Sequence, residues 1–267
     1  MVDSRQRTLD VPEKTVEAVT RELQALGVER GAVLEVHTSF RAVRPIEGGP
    51  LGLIQALRAA IGPAGTLVLP SFTGDHDQVF DPRTTAASPD LGIVADLFWR
   101  LPDVKRSSHP FAFAAAGPLA DEIVAGALPI PPHTVDSPVG RVWQHDGQVL
   151  LLGVGHDADT MLHLAELQAD VPYRIPKHIT VEEQGRPVRL QYGENDHCCQ
   201  RFAFADDWLR ARGEQSEGQV GYAQSRLARA QAIVARAVEH LRNDALIFLH
   251  APVAGCEECD AARATVG

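Results

Sequence analysis

The sequence begins without an apolar run. Met1 to Pro12 mixes charges with small polar residues, which argues against a secretory signal or a membrane span there. Cytoplasmic residence is the default expectation. No internal repeat or low-complexity stretch is present, and no Walker or Rossmann glycine pattern announces a standard phosphate loop. Positive charge is in deficit: 25 Lys and Arg stand against 35 Asp and Glu, a formal net charge of -10. Such a field repels nucleic acid and anionic lipid and attracts polycations. Cysteine is scarce too, with four residues in two close pairs, Cys198–Cys199 and Cys256–Cys259. A reducing compartment disfavours disulfides, so these pairs point to metal binding.

What is present suits a globular α/β protein. Hydrophobic residues make up 45% and charged residues 22%, enough apolar material for a sizeable core. In residues 13–27, Val16, Val19, Leu23 and Leu26 share one helical face, and Gly27 ends the run. Ala32 to His37 reads as a buried strand, LGLIQALRAAIG as a helix closed by Gly62, and GTLVLPSF as a second strand. A loop over 73–90, a helix in LGIVADLFWRL, strands in FAFAAAG and QVLLLGVG, and a helix over 160–170 follow. This alternation predicts a layered α/β/α sandwich with a mainly parallel central sheet. KHITVEEQGRPVRLQY predicts a hairpin turning at Gln184-Gly185, then helices near 200–212 and 222–243, and LIFLH a last strand. The expected division is an α/β core over 1–175 and a smaller, integrated α+β subdomain over 176–267, although no flexible linker separates them.

Three clusters can carry chemistry. Thr160, His163 and Glu166 follow an apolar strand at helical spacing, so an imidazole and an orienting carboxylate can form a general-base pair. The plain alternative is a surface His–Glu pair, and His156 adds a possible metal ligand. TSFRAVRP (38–45) and KRSSHP (105–110) offer small hydroxyls, amides and arginines suited to phosphates, or to ordinary loop capping. Asp75 and Asp77, with Glu194 and Asp196, would in one cleft seat a multiply protonated ligand; separately they are solvated loops. Cys256-x2-Cys259 has the spacing of two thiolates on one tetrahedral zinc. The further ligands come from His197, Cys198, Cys199 and His250, with Cys198 or Cys199 plus a histidine preferred.

Taken in order, VHTSFRAVRPIEGGPLGLIQALRAAIGPAGTLVLPSF, FDP, LFWRLPDVKRSSHPFAFAAAGP, LLLGVGHDADTMLHLAEL, ENDHCC and GCEECDAA span nearly the whole chain. They resemble the aminoglycoside 3-N-acetyltransferases of the antibiotic N-acetyltransferase family, and particularly its apramycin- and gentamicin-directed branch. The resemblance implies acetyl-CoA as cosubstrate, bound by the 1–175 core that carries the catalytic helix, and a cationic aminoglycoside as acceptor. It implies His163 as general base, Glu166 as its orienter, and Thr160 beside the thioester. Glu194 and Asp196 match drug-contacting positions, and Asp75 and Asp77 are both candidates in the loop after PSFTG. His37, Thr38, Ser39, Phe40 and Arg41, with Arg106, Ser107, Ser108 and His109, match segments that cradle coenzyme A. Competing functions are a zinc amidohydrolase using His156, His163 and Glu166 or the Cys/His group, a zinc-stabilised interaction module, and an acetyltransferase for another amine. Nucleic acid and membrane partners are not expected.

Overall fold

The computed structural model describes residues 11–126 and 129–267. The start of the chain, where neither a signal nor a span is expected, lies mostly outside the described residues. Helix α1 (Val16–Leu26) starts where the Thr15 hydroxyl accepts from the Ala18 amide, and ends at Gly27, whose φ of 116° suits only glycine comfortably. Strand β1 (Val33–Thr38), the short helix α2 (Phe40–Val43), α3 (Gly49–Ile61) and β2 (Thr66–Pro70) follow. After a long loop come α4 (Gly92–Trp99), β3 (Lys105–Arg106), β4 (Phe113–Ala116), α5 (Ala120–Val124), α6 (Pro138–Gln144), β5 (Gln148–Leu152) and α7 (Met161–Gln168). The hairpin β6 (Ile175–Glu183) and β7 (Arg186–Glu194) leads to α8 (Phe204–Arg212), β8 (Gln215–Val220), β9 (Ala223–Arg229), α9 (Ala230–Asn243) and α10 (Glu257–Ala264).

The central sheet has seven strands in the order β3-β4-β2-β1-β5-β9-β8. Parallel pairing joins β2, β1 and β5 at its centre; the outer strands β4, β3, β9 and β8 add antiparallel. Loop length explains the split. Parallel neighbours need a crossover, whereas β8 and β9 are joined by two residues, Gly221 and Tyr222, that permit only a hairpin. Period-two alternation then builds two cores. Leu34, Val36, Leu67, Leu69, Leu150 and Leu152 pack with α1, α3 and α4, while Val33, Val68, Val149 and Leu151 pack with α6, α7 and α9. The α/β/α layering follows directly.

Two expectations fail after residue 213. The stretch expected as one helix over 222–243 is a strand to Arg229 before α9 begins. Its alternation is local, with Ala223, Ser225 and Leu227 buried. LIFLH forms turns instead of a strand, with Phe248 and Leu249 plugged into the core. β9 already occupies the place beside β5, so no central edge is left for it. Of the segment after 175, the β6–β7 hairpin forms a sheet of its own, while β8, β9 and α9 return to the main sheet and its helical layer. No helix among the described residues is long and apolar enough to cross a membrane.

Candidate active site

The site lies beyond the carboxyl ends of β1 and β5, the crevice where open α/β sheets receive ligands. The turn between β5 and α7 is fixed by His156. Its Nδ1 faces Asp159 Oδ2 at 2.8 Å and its Nε2 faces Gln215 Oε1 at 2.8 Å. Burial works against the imidazolium, but these partners outweigh it and raise the His156 pKa. Asp159 Oδ1 in turn accepts from the Met161 amide at 3.0 Å and starts α7. Both nitrogens of His156 are therefore engaged in shaping this turn, not in holding a catalytic metal.

Helical spacing brings His163 and Glu166 together as the sequence predicts: His163 Nδ1 lies 2.8 Å from Glu166 Oε2. Glu166 is wholly buried, and its Oε1 also accepts from His197 Nε2 at 2.8 Å and from the Tyr173 hydroxyl. Burial pushes the Glu166 carboxyl up, yet His163 and His197 hold it down at about 2. For His163, burial disfavours the cation, but the Cys199 sulfur and Glu166 outweigh it and hold the pKa well above the ordinary value. The Cys199 sulfur stands 3.6 Å from His163 Nε2. An aromatic row backs the ring. His133 stacks on His163 at 5.1 Å, Phe111 meets His133 edge-on at 5.6 Å, and His76 stacks on Phe111 at 5.1 Å. Burial holds the His133 pKa well below its ordinary value, so this neighbour is neutral.

Two cavities meet at this point. One, of about 310 Å³, is lined by His37, Thr38, Phe72, Thr160, His163 and Phe202, among others. The other, of about 290 Å³, is lined by Phe72, His76, Phe111, His133, Thr160, His163, Lys177, His178, Tyr192, Glu194 and Asp196. Phe72, Thr160 and His163 belong to both. The second chamber holds the acidic pair from the end of β7. Burial and neighbouring Asp196 raise the Glu194 pKa, against His163 and Lys177, while Asp196 forms an ion pair with Lys177. Asp75 and Asp77 are not brought there. Asp75 accepts from the Asp77 amide at 3.0 Å, and Asp77 ties its loop to the hairpin through His178 at 2.8 Å and Arg189. Their loop sends His76 into the chamber instead.

The first cavity continues into a groove lined by Thr38, Ser39, Phe40, Arg41 and Arg44, with Gly92 and Ile93 at the start of α4. Arg41 and Arg44 are exposed and in no ion pair among the described residues, an arrangement suited to phosphates. Arg106 to His109 do not line this groove. The Arg106 guanidinium donates to Ser71 Oγ at 3.0 Å, to the Ser71 carbonyl and to the Thr85 carbonyl, between the rings of Trp99 and Phe80. The Ser107 hydroxyl accepts from the Phe113 amide at 3.0 Å, and Ser108 is exposed. His109 Nδ1 accepts from the Phe111 amide at 2.8 Å, its Nε2 faces the Pro129 carbonyl at 3.0 Å, and burial lowers its pKa to about 4. This segment braces the loop around the site.

The cysteines separate into different roles. Cys198, Cys256 and Cys259 place their sulfurs within 4.8 Å of one another. The neighbouring candidates do not join them: Cys199 faces His163, His197 bonds Glu166 and the Cys199 amide, and His250 lies outside the cluster. Cys199 sits at φ 58°, and this turn sends adjacent sulfurs to opposite sides. Sequence reasoning missed His76, Phe111, His133, Tyr173 and Tyr192. They come from separate loops with no shared spacing, so only the fold assembles them.

Residues 36–242 match the sequence model of the family described as aminoglycoside 3-N-acetyltransferase. The chain is 62% identical over 234 residues to aminoglycoside N(3)-acetyltransferase IV of Salmonella sp, covering 88% of this chain and 90% of the relative. It is 34% identical to aminoglycoside N(3)-acetyltransferase III of Serratia marcescens, over 85% of this chain and 97% of that protein. Among solved structures, the apoenzyme of aminoglycoside acetyltransferase AAC(3)-IVa superposes with a TM-score of 0.95 at 59% identity, covering 98% of this chain and 100% of that one. A histidine-to-alanine mutant of that protein, in complex with a gentamicin, matches with a TM-score of 0.95 at 59% identity, over 97% of this chain and 100% of that one.

Proposed function

Because the chain belongs to the aminoglycoside 3-N-acetyltransferase family and is an acyltransferase, we propose that it moves the acetyl group of acetyl-CoA to the 3-amine of an aminoglycoside, in a ternary complex and in the cytoplasm. The observation that carries this reading is the meeting of two cavities at Thr160 and His163. Acetyl-CoA lies along the groove from Arg41 and Arg44 to Thr160, and the aminoglycoside occupies the chamber of Glu194 and Asp196. The gentamicin and apramycin complexes of the AAC(3)-IVa mutant support the choice of acceptor.

A protonated ammonium has no lone pair, so the acceptor must lose a proton before or during attack. His163 takes it, directly or through water, and Glu166 holds the ring and offsets the charge it gains. The neutral nitrogen then attacks the thioester carbonyl, and the tetrahedral oxyanion collapses with expulsion of the thiolate. The Thr160 hydroxyl donates to Glu35 Oε1 at 2.8 Å in this structure, so it serves the thioester oxygen only by turning away from Glu35. A metal hydrolase would need ligands converging at His163. His156 is engaged elsewhere, and the cysteine cluster excludes Cys199.

Cys198, Cys256 and Cys259 supply three of the four ligands that a tetrahedral structural zinc takes. In this reading the metal ties α10 to the segment after β7 and takes no part in acyl transfer. The function is tested by thiol release from acetyl-CoA against a panel of aminoglycosides, with the acetylated position determined by NMR. Release that needs an aminoglycoside and yields the 3-N-acetyl product is expected. Metal-dependent turnover without coenzyme A would overturn the reading.

A further inference from the structure

A second His–Glu pair lies against the Thr160 hydroxyl. β1 alternates, so Val33, Glu35 and His37 project from one face, toward α7. Glu35 is wholly buried, and its Oε1 faces His37 Nε2 at 3.0 Å while accepting from Thr160. His37 Nε2 also lies 3.4 Å from Thr160 Oγ1. The other carboxylate oxygen, Oε2, is buried without a partner among the described residues. A buried carboxylate is costly unless donors stand beside it, and His37 and Thr160 are the donors placed on its Oε1. The His37 Nδ1 has no protein partner among the described residues. What little of its surface is exposed lines the cavity that runs from the arginine groove to Thr160.

We infer that Glu35 and His37 form the acid of the leaving-group side, complementary to the base pair His163–Glu166. This rests on acetyl transfer from acetyl-CoA as proposed above. The acceptor nitrogen forms its bond to the thioester carbon and gives its proton to His163. As the tetrahedral intermediate collapses, the carbon–sulfur bond breaks and its electron pair goes to sulfur. The imidazolium of His37 gives its Nδ1 proton to that sulfur, so neutral coenzyme A thiol departs and neutral His37 keeps its Nε2 proton on Glu35. One proton enters at His163 and one leaves at His37, and both exchange with water before the next turnover. The Thr160 hydroxyl joins this second pair through its bond to Glu35.

The test measures both kinetics and the state of the sulfur. His37→Gln is expected to lower kcat about a hundredfold, with KM for acetyl-CoA changed by less than about twofold. In the binary complex with coenzyme A, the ultraviolet band of the thiolate is titrated with pH. It should emerge at higher pH in His37→Gln than in the unsubstituted protein, because a cation beside the sulfur is lost. Glu35→Gln, which keeps His37, should shift both readouts in the same direction as His37→Gln, and it stands in if that variant does not fold. Unchanged kcat, or a thiolate titration that is the same with and without His37, overturns the inference. Absence of thiol release by the unsubstituted protein with any aminoglycoside would instead overturn the acetyl-transfer reading, which the titration does not depend on.

Discussion

Replacing Glu166 by glutamine keeps the side chain's size and removes its charge. In the folded chain three donors converge on this carboxylate: His163 Nδ1, His197 Nε2 and the Tyr173 hydroxyl. His197 has no freedom to reverse, since its Nδ1 already accepts from the Cys199 amide at 3.0 Å. With its carbonyl oxygen kept on His197 and Tyr173, a glutamine turns its NH₂ toward His163 Nδ1, which can accept only by giving up its own proton there. The carboxyl pKa falls from 4.5 to about 2 in the folded protein. At about 1.4 kcal/mol per tenfold change, that is an order-of-magnitude stabilisation of about 3 kcal/mol. For a chain of this size the loss corresponds to a fall of roughly 6–12 °C in Tm at neutral pH. The sign follows from the lowered pKa. Glu166 stabilises fully above its unfolded value of 4.5 and loses that contribution as the pH drops through about 2, so the gap between the two proteins should narrow in acid. Catalysis changes in a separate way. His163 accepts a proton only when neutral, and its raised pKa places the acid limb of kcat/KM above the ordinary histidine range. Glu166→Gln removes one cause of that rise, so the limb should move to lower pH while the plateau falls about tenfold or more. Differential scanning calorimetry and a pH series of initial rates read both effects. An unchanged Tm at neutral pH together with an unmoved acid limb would refute the reasoning.

Other outcomes follow from the same geometry. Glu194→Gln should weaken aminoglycoside binding more than acetyl-CoA binding in calorimetry, and the difference should shrink with salt. Because burial and Asp196 raise the Glu194 pKa, drug affinity of the unsubstituted protein should rise as the pH climbs through that raised value and Glu194 ionises. Arg106→Met should lower Tm by several degrees by freeing the 73–90 loop, yet leave KM for acetyl-CoA within about twofold, since its guanidinium bonds the protein's own carbonyls. Metal analysis of untagged protein should find one zinc per chain, and chelation should lower Tm while turnover at low temperature persists; no metal with four freely titrating thiols would end that assignment.

Local pattern made much of the fold readable. Helical periodicity with a glycine stop defined α1, apolar runs defined β2 and β5, the β-branched and apolar Ala32-to-His37 stretch read as β1 despite Glu35 and His37, and Gln184-Gly185 defined the hairpin turn. His163 and Glu166 were legible for the same reason, since three-residue spacing on a helix fixes their contact before any packing occurs. Where a segment's structure depends on what lies beside it, the sequence was ambiguous. AQSRLAR became a strand because β5 offered it an edge, and LIFLH was left with none. The same holds for side chains. Cys198 and Cys199 are adjacent in the chain, and only the left-handed turn at Cys199 sends one to the thiol cluster and the other to His163. Arg106 resembles a phosphate ligand until the loop around it closes and its donors meet carbonyls. The partners of His163 beyond Glu166 are distant in the chain, as with His133 at 5.1 Å and Cys199 at 3.6 Å. Contacts within a turn of helix are set by backbone geometry and can be read from spacing; contacts between loops are set by how the layers pack, and only the tertiary structure decides them.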